Sequence, residues 1–520
     1  MNIGDIVYNN AQSFPDKIGI IEERARFTWS ETNSRVNRLA NAMLGLGLTK
    51  GDRAAIIAQN GYEVAEFMLA VAKAGVIGTG INYRLVPEQI ARQINDCQPK
   101  LLLVQEPFTG KLESIRPAIS PDITFVGIGT KKAYPLEYES LIMQYPSTEP
   151  GIKVAESEPH MIIYTSGTTG WVKGVVRTHT NRLVHIIQDY MEERLGLDDV
   201  YTVGGPLFAA GAQFRFYCAL FNGATMIIYP FTPERWAKWV EKEKVTAESI
   251  TLIRYDMIRE YLDHCGRKYD LSSIQKVPFA GGAFQTGERV RDITNFFHCG
   301  FCGKGYASTE VGFAVVFLPE EVAPGLKPNA TEKDIRRLDA MGRPRLCEAM
   351  LVDDEGREVK QGEVGELWLR GDTVMPGYWN KPELNKKVLA GGWYQTQDLM
   401  YQDAEGLLYF AGRKDLMIKT GGFNVYPEEV EAVIAKHSAV AEAAVFGIEN
   451  PKWGEQVTAA VVLKEGCSAT EADIAEHCRQ YLSGFQVPKE VHFLDKLPAT
   501  ETMLKVSRME LRRMFSQVKS

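Results

Sequence analysis

Apolar and polar positions along the first three hundred residues alternate between two periods. Val36, Leu39, Ala40, Met43 and Leu44 recur at the spacing of one helical face. The turn GLTKGD follows, then a short apolar strand, AAIIA, from Ala54. A second helical pattern runs from Tyr62 to Ala74, and another apolar strand, LLLV, begins at Leu101. Strands and helices in regular alternation predict doubly wound sheets with helices on both faces.

The pattern changes near residue 345. MLVDDEGREV carries a turn at Asp354–Gly356, and VGELWLRG reads as a strand. LMYQDAEGLLYFAG reads as a hairpin around Glu405–Gly406. These segments predict a small antiparallel β unit that closes the large domain. A third texture begins after Gly412. Pro427 opens a helix carrying Val430, Val433 and Ile434. Ser468 and Glu471 have capping-box spacing before Ile474, Cys478 and Leu482. This last stretch predicts a compact α+β domain, hinged near Arg413–Asp415.

The chain has 520 residues, enough for three to four structural units and a large core without staples. A net charge of −7 argues against bulk nucleic-acid binding, while leaving local basic pockets for phosphate open. No apolar run is long enough to span a membrane. The start, MNIGDIVYNN, lacks the basic region and apolar core of a signal peptide, so a cytoplasmic location is expected. The 8 scattered cysteines then read as reduced thiols. Cys299 and Cys302 have CxxC spacing beside His298, but no second pair accompanies them, so buried strand cysteines are favoured over a metal or redox site.

YTSGTTGWVKGV, Tyr164 to Val175, packs hydroxyls among glycines ahead of a lysine. Glycines let backbone N–H groups close on an anion, hydroxyls add donors and lysine adds a point charge. Such a loop suits a polyphosphate. It is not a Walker loop, because Gly174 rather than Ser or Thr follows Lys173. The competing reading is a polar surface loop between a strand and a helix.

With its neighbours this segment resembles the adenylate-forming enzymes, the family of acyl-CoA synthetases, peptide-synthetase adenylation domains and luciferases. KGVVRTHTN (Lys173 to Asn181) is similar to the continuation of that family's phosphate loop. GYASTE (Gly305 to Glu310) and WYQTQD (Trp393 to Asp398) resemble its tyrosine–threonine–glutamate and ribose motifs. GRKDLMIKTGGFNVYPEEVE (Gly412 to Glu431), PKWGE (Pro451 to Glu455) and LKVSR (Leu504 to Arg508) follow in the family's order. The resemblance covers essentially the whole chain. It implies an α/β fold with a large N-terminal domain, residues 1–412, of two doubly wound α/β subdomains plus a small β-barrel-like subdomain. A small mobile α+β C-terminal domain, residues 413–520, would follow. It also implies an acid–CoA ligase that joins a small-molecule carboxylic acid to the α-phosphate of Mg·ATP, then passes the acyl group to coenzyme A. Oligomeric state is left open.

The chemistry accounts for the residue types. A carboxylate is already ionised at neutral pH, so the first step needs two anions brought together and a leaving pyrophosphate stabilised. By resemblance, Thr165, Ser166, Gly167, Thr168, Thr169, Gly170 and Lys173 hold the β and γ phosphates. Gly281, Gly282 and Ala283 lie beside adenine, and Gly305, Tyr306, Ala307 and Ser308 line the nucleotide. Thr309 contacts the α-phosphate and Glu310 ligates Mg²⁺, a hard cation suited to carboxylate oxygen. A helix cap with an N-terminal acid is the structural alternative for this last pair. Asp398 accepts the ribose hydroxyls, Arg413 adds a donor, and Asp415 is the hinge. Lys505 is the catalytic lysine of the first step. Gly421, Gly422 and Trp453 line the approach of coenzyme A.

Several positions depart from the family pattern. Trp171 and Val172 precede the phosphate-loop lysine where proline is usual. Ala307 and Gln397 replace glycines, Ala209 stands where many relatives carry histidine, and PATETMLK lacks a glycine before Lys505. Arg254, Tyr255 and Asp256 fall where relatives are apolar. Arg254 and Asp256 either pair with each other or with neighbours, or Arg254 enters the acid pocket. Two other functions stay open: an adenylation enzyme that loads a carrier protein, and a catalytically silent adenylate-binding regulator.

Overall fold

A computed structural model describes residues 1–130, 133–165, 173–278, 286–299, 303–498 and 506–516. The chain is mixed α/β and forms two compact units. One is built from residues 1–282, 286–348 and 369–394, the other chiefly from 349–368 and 395–520. The division is not drawn at residue 412, because residues 395–412 belong to the C-terminal unit.

The first unit holds a seven-stranded sheet. Its order is Leu136–Glu137, Thr124–Ile128, Leu101–Gln105, Arg53–Ile57, Ile77–Gly80, Pro159–Thr165 and Lys173–Thr178. Every pairing is parallel except the last. Successive strand residues point to opposite faces, so Ala54, Ile56, Leu101 and Leu103 join one core with Val36, Leu39 and Phe67. Ala55, Ile57, Leu102 and Val104 join another with Ile90, Ile94 and Leu112. Burial on both faces is why these strands read as unbroken apolar runs. A second sheet pairs Val200–Val203, Thr225–Ile228 and Ile18–Glu22 in parallel, with Ala25–Thr28 antiparallel at its edge. A third joins Lys304–Ser308, Gly312–Phe317 and Arg343–Pro344.

A four-stranded sheet of Glu348–Val352, Gly365–Arg370, Tyr394–Gln402 and Leu408–Arg413 stands where the small β unit was expected. In the second unit a five-stranded sheet is built on Val440–Asn450 and Gly454–Leu463. Helices Pro427–Ile434 and Glu471–Arg479 supply Val430, Ile434, Ile474 and Cys478 to the core on one side. Helix Arg508–Ser516 supplies Leu511 to a second cluster with Phe446 and Ala460. The expected cap at Ser468 is corrected. Thr470 caps this helix and Asp473 completes the box, two residues later, because only these side chains reach the first-turn N–H groups.

Candidate active site

Strands Pro159–Thr165 and Lys173–Thr178 pair antiparallel, with Thr165 opposite Lys173. The phosphate-loop segment therefore joins two strands, not a strand and a helix. Thr165 and Lys173 stand at its two ends, and Ser166, Gly167, Thr168, Thr169 and Gly170 lie outside the described residues. A Cβ on Gly174 would come within 2.7 Å of Ile162 Cγ2, so the hairpin requires glycine after the lysine. Residues 377–379 run along the free side of this strand. Val176 N–H donates to Gly377 O at 3.1 Å, and Trp379 N–H to Gly174 O at 2.7 Å.

That pairing seats Tyr378 opposite Val175. Lys173 Nζ lies 5.4 Å from the Tyr378 ring centroid, within cation–π range. Tyr378 Oη donates to Glu310 Oε1 at 2.9 Å. One aromatic side chain thus gathers the phosphate-loop lysine and the expected metal-ligating acid. Tyr378 was missed in the sequence reading; its one signal was an aromatic after glycine in the polar stretch PGYWNKPE.

Thr309 and Glu310 form the turn between strands Lys304–Ser308 and Gly312–Phe317. No helix begins there, so the helix-cap alternative fails. Gly305 packs so closely that a Cβ would meet Val315 O at 2.3 Å. Tyr306 is buried, Ala307 is exposed, and the strand register shifts between Tyr306 and Ser308. The Glu310 carbonyl accepts from Met375 N–H at 2.8 Å and from Arg177 Nη1 at 2.8 Å. Arg177 and His185, which meet, are both fully buried, and desolvation holds both well below their ordinary pKa ranges. Neither was singled out from the sequence.

Among the described residues no group of three or more His, Cys, Asp or Glu is arranged to hold a metal. A lone, partly exposed Glu310 still fits Mg²⁺, which is commonly held by one or two carboxylates together with substrate phosphates. Cys299 is buried with its Sγ against Gln275 O, and Cys302 lies outside the described residues.

In the second unit, Asp398 is buried and pairs across the sheet with Arg413, Nη1 to Oδ1 at 3.1 Å. Arg413 Nε also donates to Asp415 Oδ1 at 3.0 Å in the turn at 414–416. The non-glycine at 397 now has a local account. Gln397 sits at φ +65°, a region that favours glycine. Its N–H and Nε2 both donate to Glu366 Oε1, at 3.1 and 3.0 Å, which offsets part of the cost. Gly421 and Gly422 form the tight turn between Ile418–Thr420 and Phe423–Val425, at φ +57° and +85°. Gly421 N–H donates to Trp453 O at 2.7 Å, so two of the expected coenzyme A contacts are neighbours.

Arg254 and Asp256 take separate partners. Arg254 lies 2.9 Å from the buried Glu248 carboxylate, with its guanidinium 4.5 Å from the Phe231 ring centroid. Burial raises the Glu248 carboxyl despite this pairing. Asp256 is exposed and pairs with Arg289. Gly281, Gly282, Ala283 and Lys505 lie outside the described residues.

Comparison with known proteins identifies the family. The profile of AMP-binding enzymes matches residues 7–379, and that of the AMP-binding enzyme C-terminal domain matches residues 429–503. The chain is 28% identical to the indoleacetate–CoA ligase of Aromatoleum aromaticum, over 99% of each chain. It is 30% identical to the peroxisomal trans-cinnamate:CoA ligase of Petunia hybrida, covering 97% of this chain and 92% of that one. The structure of an anthranilate CoA ligase in complex with anthranoyl-AMP superposes with a TM-score of 0.86 at 25% identity, covering 99% and 97% of the two chains. With both profiles matched, together over most of its length, this chain belongs to the AMP-binding, adenylate-forming enzymes.

Proposed function

We propose that this protein is an acid–CoA ligase, forming an acyl adenylate from ATP and then an acyl-CoA. The observation that carries the reading is the convergence of Lys173 and Glu310 on Tyr378, in a chain whose full-length relatives are named as CoA ligases. Lys173 and the loop after Thr165 hold the terminal phosphates and pull charge from the leaving pyrophosphate. Thr309 hydrogen-bonds the α-phosphate and fixes its phosphorus before the incoming carboxylate. Glu310 holds Mg²⁺, which when bound neutralises phosphate charge. Asp398 accepts the ribose hydroxyls, and Arg413 orients its carboxylate. Lys505 adds the counter-charge of the first step. Rotation at Asp415 then brings Gly421, Gly422 and Trp453 to the thioester-forming step. The indoleacetate and trans-cinnamate ligases named above act on aromatic acids, and an aromatic or arylalkanoic acid is the substrate class we favour here.

The test is incubation with ATP, coenzyme A and a panel of aromatic and aliphatic acids, with mass spectrometry of the products. Acyl-CoA formed with AMP supports the proposal. AMP formation only in the presence of a carrier protein, or nucleotide binding without turnover, would replace it.

A further inference from the structure

Arg177 lies on the strand that carries Lys173, four residues further on. It is 0% exposed, and among the described residues no carboxylate lies within ion-pair distance of it. A buried guanidinium without a counter-ion is costly, so what it touches is informative. Nη1 donates to Glu310 O at 2.8 Å and to Thr309 O at 3.4 Å, and Nη2 donates to Thr373 O at 3.0 Å. These three carbonyls come from two segments, the turn at Thr309–Glu310 and the stretch leading to Tyr378. Met375 N–H and Tyr378 Oη, from that second segment, also reach Glu310. A short turn has few bonds of its own to fix where its side chains point. Here one planar fork holds both segments.

We infer that Arg177 is a positioning residue for adenylate formation, a buried clamp that sets the Thr309–Glu310 turn against the Tyr378 segment. The inference rests on the roles proposed above for Thr309 and Glu310. Lysine offers its donors from a single point and cannot span the carbonyls that the fork spans.

The experiment compares wild type with Arg177→Lys, Glu310→Gln and the double variant. It measures Mg·ATP affinity by calorimetry, pyrophosphate release in the first half-reaction, and thioester formation from presynthesised acyl adenylate. Arg177→Lys should slow the first half-reaction by about tenfold or more and weaken Mg·ATP binding, while the second half-reaction stays at the wild-type rate. The double variant should lose less than the product of the two single losses, because part of the clamp's effect passes through Glu310. A defective Glu310→Gln beside a silent Arg177→Lys would refute the clamp alone. Multiplying defects would refute action through Glu310. A wild-type Glu310→Gln would refute the metal role itself and remove the clamp's purpose. Should Arg177→Lys not fold, Arg177→Gln replaces it. Failure of both to fold, with Glu310→Gln folded, would make Arg177 a support of the fold and overturn the inference.

Discussion

Replacing Gly421 by alanine adds one methyl group on the proposed approach of coenzyme A. Gly421 sits at φ +57°, where a non-glycine residue costs about 1–2 kcal/mol. The new Cβ would lie 3.1 Å from Trp453 Cε3, against about 3.5–4.0 Å for relaxed carbon contacts. The ring must therefore retreat by roughly half an ångström, and with Trp453 40% exposed it has room to do so. The C-terminal unit should lose about 1–2 kcal/mol of stability and stay folded. A misplacement of 1 Å at a reacting site costs about a hundredfold in rate, so half of that predicts about tenfold in thioester formation. Pyrophosphate release follows the first half-reaction, and presynthesised acyl adenylate with coenzyme A isolates the second. The second should fall about tenfold while the first stays within about twofold. Equal losses in both, or an unchanged second step, would refute the placement of Gly421 and Trp453 on the thiol's path.

Asp415→Pro should leave adenylate formation intact and abolish thioester formation, because proline fixes φ at the proposed pivot; wild-type rates for both half-reactions would dismiss the hinge. Arg254→Met strips the partner from a fully buried Glu248 and should destabilise the fold by about 3–5 kcal/mol in chemical denaturation. It should lower activity equally on acids with and without a distal polar group, and Arg254→Met/Glu248→Leu should recover most of the stability; a selective loss on polar acids would instead put Arg254 in the pocket. Burial lifts the Glu428 carboxyl to about 7, with Arg508 3.8 Å away and Glu431 nearby. The folded state then holds this proton more tightly than the unfolded chain, so its stabilising contribution is lost as pH rises from about 4.5 through 7. Glu428→Gln should flatten that decline by about 3 kcal/mol relative to wild type, and parallel stability curves would show that Glu428 does not titrate there.

Local rules made the elements of the large unit legible. The helix over Tyr62–Ala74 lies where its periodicity put it, and the runs at Ala54 and Leu101 are strands covered on both faces. The residues expected to hold phosphate, ribose and Mg²⁺ were named by resemblance to the family's motifs, and their donors and acceptors suit those groups. What the sequence could not carry was the meeting of segments far apart along it. Tyr378 lies 68 positions from Glu310, and only the strand-like pairing of residues 377–379 beside Val175 brings its hydroxyl to that carboxylate. Arg177 draws no notice in the sequence KGVVRTHTN, and only the fold puts three carbonyls around it. Gln397 reads as a lost glycine until Glu366, from another strand, is seen to hold it in a left-handed conformation. Arg254 could have faced an acid or a neighbour, and the fold sets it against the buried Glu248, a pairing that offsets part of the cost of taking both charges out of water. Composition and period are properties of a few adjacent residues, and the sequence determines them alone. Which side chains share a buried site depends on how sheets stack and loops return, and that is decided only when the whole chain has packed.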